Sequence, residues 1–219
     1  YGDLGCFGSR HIRTPHIDRL AAEGTRFTQV YAGAPVCAPS RCVLMTGLHT
    51  GHGRIRENMP RVGGTLEPFA EGREKAMRLS LHPEDRVVAQ DLADAGYATG
   101  HFGKWHLNGK NGNRDTKTPP GRAILADDPL SPGKLGFDEW LSADNFFDLD
   151  PVLGRSGVPE KFRGDGSDIV TDEALKFIRK QTDAKKPFFT VVWFGNPHVP
   201  HEALPADKAA YAALPEKDQ

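Results

Sequence analysis

Three short stretches of this chain carry residues whose types and spacing could do chemistry, and the first centres on Cys37. Residues 31 to 47 read Tyr-Ala-Gly-Ala-Pro-Val-Cys-Ala-Pro-Ser-Arg-Cys-Val-Leu-Met-Thr-Gly, a pattern that predicts a sharp turn at Cys37 leading into a short helix. Pro39 suits a first helical turn, Val43, Leu44 and Met45 give an apolar body, and Gly47 is a stop signal. Such a helix start presents free N–H groups and the positive end of the dipole, which favour an anion. Arg41, one turn on, can add a fixed cation at the same end. Two familiar cysteine chemistries fail on spacing. The thiolate loop of phosphatases needs Arg six positions after Cys, where this chain has Val43, and a redox Cys-x-x-Cys pair is absent because Cys37 and Cys42 are five apart. The second stretch is Gly103-Lys104-Trp105-His106. Lys104 and His106 are two apart, so at a strand end they can point to one side, one with fixed charge and the other able to titrate near neutrality. The third stretch is Gly195-Asn196-Pro197-His198-Val199-Pro200-His201.

The elements that must hold these stretches are legible around them. Thr14 to Gly24 reads as a helix, with Thr14 as cap, Pro15 at the first position and Gly24 as stop. Arg26 to Tyr31 alternates as a strand would and delivers the chain towards Cys37. Pro83 to Gly96 predicts a second helix, and Tyr97 to Phe102 a strand that ends at Lys104. Ser167 to Ala184 is a strongly amphipathic helix capped by Ser167 or Asp168. Pro187 to Phe194, almost wholly apolar and β-prone, reads as a strand buried on both faces and ends at the His198 stretch. Residues 60 to 83, 108 to 130 and 148 to 166 read as irregular or loop-like. Three strand-then-loop junctions thus carry the reactive residues, which is how sites form at the carboxyl ends of strands in an open α/β sheet.

Composition excludes several classes. A net charge of -1 over 219 residues argues against an electrostatic nucleic-acid or membrane-surface binder, and no apolar run is long enough to span a bilayer. Cys6, Cys37 and Cys42 form no recognisable disulfide framework. His49 and His52 lack the cysteine or third clustered ligand that a zinc site needs, so they read as solvated or substrate-facing loop histidines. Asp3 reads as a loop cap. Neither a starting Met nor a signal stretch is present and the last residues are polar, so the chain reads as an internal fragment, a partial N-terminal catalytic domain over residues 1–219.

Cys37-x-Pro39-Ser40-Arg41 followed by Leu44, Thr46 and Gly47 resembles the signature of the formylglycine-dependent, arylsulfatase-like sulfatases. The run from Gly96 to His106, Gly-Tyr-Ala-Thr-Gly-His-Phe-Gly-Lys-Trp-His, resembles the second signature of that family, and Gly136-Phe137-Asp138 a third, weaker segment. The resemblance covers the chain from Tyr1 to about His201. It implies an α/β, alkaline-phosphatase-like mixed sheet flanked by helices, present here in part. It further implies that a maturation enzyme oxidises Cys37 to formylglycine, which with calcium would cleave sulfate esters of small molecules or glycans. By match, Arg41 would stabilise the nucleophile, Lys104 would bind sulfate, and His106 and His198 would orient the hydrate or protonate the leaving alcohol. His201 is assigned a more peripheral or solvated place. Residue 37 is the one calcium ligand the resemblance puts on this chain, since the paired aspartates would precede Tyr1 and the other ligands would lie beyond position 219. Periplasmic or secreted localisation is expected from the family. Two alternatives stay open on the residues: a hydrolase of phosphonate monoesters or phosphodiesters with the same motif, and a non-catalytic glycan-binding relative.

Overall fold

The computed structural model describes residues 2–58, 61–62, 65–66, 80–109, 122–146 and 148–214. These residues divide into two units, one of residues 1–32 with 203–219 and the other of residues 33–202.

In the smaller unit, helix α1 (Pro15–Glu23) follows a single 3-10 turn at Gly5–Phe7. Thr14 sits at the predicted cap position, but its hydroxyl accepts the Gly5 N–H and donates to Asp18 instead of capping α1. Asp18 also accepts the Cys6 N–H at 2.7 Å, so the loop and helix are tied by side chains. The strand predicted over Arg26–Tyr31 is not formed. Phe27, Val30 and Tyr31 are 60% or more exposed, and alternation without a partner strand has no ladder to stabilise it. A second, five-residue helix, Pro205–Ala209, lies near the end of the chain.

The larger unit is built on a five-stranded mixed sheet. Its elements are α2 (Cys37–Thr46), the two-residue antiparallel strands β1 (Arg61–Val62) and β2 (Thr65–Leu66), α3 (Val88–Asp94), β3 (Ala98–Lys104), β4 (Glu139–Ala143), β5 (Val152–Arg155), β6 (Val158–Lys161), α4 (Gly166–Asp183) and β7 (Phe188–Trp193). The sheet order is β6-β5-β4-β3-β7, with β4 and β7 both parallel to β3 and the β4-β5-β6 side antiparallel. Every residue of β3 is buried, as a central parallel strand requires. Its alternation sorts two cores: Ala98 and Phe102 pack with Val170, Ala174 and Phe177 of α4 on one face. The other face meets a cluster containing Trp105, Phe137 and Trp140, together with Cys42 and Met45 of α2 and Ala89 of α3.

Several predicted bounds move for local reasons. Helix α3 starts at Val88, later than Pro83, because Val87 is extended and its N–H is taken by the Gln90 side chain. Asp165, earlier than Ser167 or Asp168, caps α4 by accepting the Ser167 N–H at 2.7 Å. β7 is half-buried along most of its length, since among the described residues it pairs only with β3 and so forms a sheet edge. The stretch read as loop after residue 148 holds the β5–β6 hairpin, turned by Ser156 (φ 45°) and Gly157 (φ 97°). A two-residue connection with positive φ at both positions is a preferred hairpin turn. Trp140 and Phe146 are core residues, whereas Phe147 and most of the 60–83 and 108–130 stretches lie outside the described residues. No helix among the described residues is long and apolar enough to cross a membrane.

Candidate active site

The helix carrying Cys37 starts where the sequence places it. Val36 is extended (φ -128°, ψ 160°), Cys37 opens α2, and Gly47 ends it in the left-handed conformation (φ 70°) while its N–H reaches the Val43 carbonyl. Pro39 and Ala38 are buried and Cys37 is half-buried at the exposed end. Cys42 is 1% exposed in the core, so the two cysteines occupy different environments.

β3 brings the second stretch to the same place. At its carboxyl end Gly103 adopts φ 110°, and a Cβ there would lie 2.0 Å from the Trp193 carbonyl oxygen, so only glycine lets β7 approach this closely. Trp105 then turns into the core, fully buried, with its indole N–H donating to the Leu130 carbonyl at 2.8 Å. His106 follows with a left-handed backbone (φ 55°). Lys104 and His106 therefore both reach Cys37: His106 Nδ1 lies 3.3 Å from Cys37 Sγ, and the Lys104 ammonium hydrogen-bonds the same thiol. Lys104 is 2% and His106 8% exposed.

Arg41 closes the group from α2. Its Nη1 donates to the Lys104 carbonyl at 2.6 Å, and its guanidinium lies 4.4 Å over the Trp193 ring. Burial lowers the Arg41 pKa to about 10, partly offset by Cys37, so the group remains a cation at neutral pH. Burial also lowers Lys104, with Arg41 adding to the effect and Cys37 and Asp144 opposing it. His106 is pushed down to about 3, first by burial and then by Lys104, Arg41, His198 and Arg122. In this surround His106 is a neutral imidazole, which corrects the expectation that it titrates near neutrality.

His198 follows the carboxyl end of β7 on the segment 195–201 and is exposed; its Nδ1 donates to the Val199 carbonyl at 2.6 Å. It lies close enough to His106 to contribute to the lowering there. His201, His49 and His52 are exposed, and His49 Nδ1 accepts the Gly51 N–H. Sequence reasoning missed three contributors. Trp193 lies beneath Arg41, and His101, fully buried, packs edge-on against Trp105 and Trp193 behind it. Asn58 donates from Nδ2 to Cys37 Sγ at 2.9 Å. Only its position at the end of the glycine- and arginine-rich stretch after α2 hinted at it.

The charges around Cys37 are cationic: Arg41 and Lys104 touch it or each other, and no carboxylate hydrogen-bonds its thiol among the contacts described. Among the described residues no group of three or more His, Cys, Asp or Glu side chains could hold a metal ion. These residues alone therefore do not fit a calcium. They do fit an oxygen-bearing side chain at position 37, because Asn58 offers its amide N–H and Lys104 its ammonium where Sγ now lies.

A helix start and the end of one parallel strand converge on the thiol-bearing Cys37, with fixed cations beside it and the end of a second parallel strand against Arg41. The chain belongs to the sulfatase family, whose model matches residues 1–218. It is 38% identical over 143 residues to the steryl-sulfatase of Rattus norvegicus, an alignment that takes in 64% of this chain and 21% of that protein. It is 30% identical over 222 residues to the N-acetylgalactosamine-6-sulfatase of Canis lupus familiaris, covering 91% of this chain and 38% of that one. The solved structure of Ps i-CgsB in complex with k-i-k-neocarrahexaose superimposes with a TM-score of 0.75 at 26% identity, over 99% of this chain and 47% of that chain. The chain thus spans less than half the length of these relatives, and its mixed α/β sheet is the alkaline-phosphatase-like fold of the sulfatases.

Proposed function

We propose that the protein is a sulfuric ester hydrolase acting on a sulfated glycan or a small-molecule sulfate, with residue 37 matured from cysteine to formylglycine. The observation that carries this reading is the convergence of Lys104, His106 and Asn58 on the Cys37 side chain at the start of α2, with Arg41 bonded to the Lys104 carbonyl. As the hydrated aldehyde, residue 37 would supply two hydroxyls on one carbon, one to attack sulfur and the other to let sulfate depart without leaving the enzyme esterified. In this reading the first of these oxygens takes the place of Sγ.

The chain's own residues then divide the work. Lys104, 2% exposed, holds the sulfate oxygens, and Arg41 stabilises the charge on the nucleophile oxygen of residue 37. His106, neutral and within reach of residue 37, orients the hydrated aldehyde by a hydrogen bond; pushed down to about 3, it is too weak a base to carry the proton itself. His198, exposed on the segment after β7, takes by match the role of orienting the hydrate or protonating the leaving alcohol. Calcium enters this reading through the family resemblance, which puts one ligand, residue 37, on this chain; the described residues contribute cations, not further ligands. Relatives named for steryl and N-acetylgalactosamine 6-sulfates, and a neighbour solved with a neocarrahexaose, support a glycan or small-molecule alcohol as the leaving group.

The test is peptide mass spectrometry of the full-length protein made with a maturation enzyme, followed by a panel of aryl sulfate, sulfated oligosaccharide, phosphonate monoester and phosphodiester substrates. An aldehyde at position 37 with preferred sulfate ester turnover is expected. An unmodified thiol with activity intact, or a preference for phosphodiesters, overturns the reading.

A further inference from the structure

Asn58 makes two hydrogen bonds, and together they fix its orientation. Its Oδ1 accepts the Ala38 N–H at 3.0 Å, and its Nδ2 donates to Cys37 Sγ at 2.9 Å. A backbone N–H can only donate, so the amide oxygen must face Ala38, and the NH2 group is thereby turned onto the side chain of residue 37. Ala38 is the second residue of α2, where N–H groups have no partner within the helix, and the cap residue Val36 offers no side-chain acceptor. Asn58, 21 residues along the chain from Cys37, therefore supplies the missing cap from a separate segment and aims a donor at the nucleophile position in the same act.

We infer that Asn58 is a positioning residue: its amide clamps the start of α2 and selects the side-chain orientation of residue 37 that faces Lys104 and His106. This rests on the sulfatase reading for its catalytic consequence and on geometry for the clamp itself. Without the donor, residue 37 can rotate about its Cα–Cβ bond away from the His106 imidazole, and a displacement of that size in a reacting group costs about 100-fold in rate.

Two substitutions separate cap from clamp. Asn58→Asp keeps an acceptor for the Ala38 N–H and adds a negative charge that suits the helix start, but it loses the donor to residue 37. Asn58→Ala loses both. In the full-length, matured protein, with aldehyde content measured by mass spectrometry, Asn58→Asp is expected to keep slow amide exchange at Ala38. Its kcat per aldehyde should fall about 10- to 100-fold, with KM within about threefold. Asn58→Ala should show the same loss of kcat together with at least about tenfold faster exchange at Ala38. Wild-type kcat in Asn58→Asp reduces Asn58 to a helix cap and overturns the inference, as does unchanged Ala38 exchange in Asn58→Ala. A readout free of activity is peptide-resolved iodoacetamide alkylation of Cys37 in protein made without maturation. There a carboxylate facing sulfur should slow Asn58→Asp about tenfold relative to wild type, by repelling the thiolate that attacks. Slowed alkylation with no aldehyde and no hydrolysis in the wild type would sink the sulfatase reading and leave the clamp standing; alkylation at the wild-type rate sinks the clamp.

Discussion

Folding locks His101 in its neutral form, and the free energy of doing so can be measured against pH. The residue is fully buried in β3, its Nδ1 lies 2.6 Å from the Ser142 hydroxyl, and its Nε2 has no hydrogen-bond partner among the described residues. Its ring is packed edge-on by Trp105 at 4.9 Å, Trp193 at 5.2 Å and Phe137 at 5.4 Å, and burial, followed by the Arg41 charge, holds its pKa well below 6.5. The unfolded chain binds a proton at this site below about pH 6.5 and the native chain does not, so stability contributed by the neutral ring is present above that pH and is lost as pH falls. Between about pH 7.5 and about pH 5.5 the loss is roughly 1.4 kcal/mol for one such histidine. In His101→Phe the aromatic contacts are kept while the titrating group is removed. The substitution itself is expected to cost about 1 to 3 kcal/mol through repacking, but the test lies in the slope, not the intercept. Urea unfolding of the full-length wild type and His101→Phe at the two pH values should show the variant losing about 1.4 kcal/mol less on acidification. Equal losses would mean that native His101 takes up a proton as readily as the unfolded chain, and the account of its environment would be wrong.

Three further outcomes follow from the site. Cys37→Ala should abolish sulfate ester turnover, whereas Cys42→Ala, buried among core residues, should stay active at a cost of about 1 kcal/mol in thermal or urea unfolding; an inactive but folded and aldehyde-bearing Cys42→Ala would give that residue a role beyond packing. Gly103→Ala should cost about 2 to 4 kcal/mol and lower kcat as well, because its Cβ collides with the Trp193 carbonyl and its φ of 110° disfavours any side chain; a wild-type melting temperature would contradict the close approach of β3 and β7. Arg41→Lys keeps a charge but loses the Nη1 bond to the Lys104 carbonyl and the stack on Trp193, so kcat/KM on an aryl sulfate should fall about 100-fold or more, and near-normal activity would show that charge alone suffices.

What could be read from the sequence follows from which interactions are local. The α2 start, its Gly47 stop, β3 and α4 announce themselves through spacing, caps and turn residues close in the chain, and the structure forms each of them. The strand expected at Arg26–Tyr31 failed because alternation describes one strand, while a ladder needs two. The hairpin at β5 and β6 was missed although its Ser156-Gly157 turn was in view, since the flanking Gly, Pro and charged residues mask the alternation. In the site, Lys104 and His106 were legible as a pair, but the depression of His106 was not: it depends on Arg41, Arg122 and His198 arriving from elsewhere. Asn58 and Trp193 were likewise invisible, because what gives them meaning lies across the sheet or across a loop.

The separations inside the site have a consequence for how the protein folds. The hydrogen bonds that gather it span 21 residues from Asn58 to Cys37, 63 from Arg41 to Lys104 and 69 from Cys37 to His106. Closing loops of this length costs chain entropy before any contact repays it, and the parallel pairing of β3 with β7 encloses a longer span still. Helical signal in a refolding experiment should therefore recover before the alkylation rate of Cys37 settles to its native value. That rate reports the last stage of folding, when the sheet has closed and Asn58 and His106 have reached the thiol.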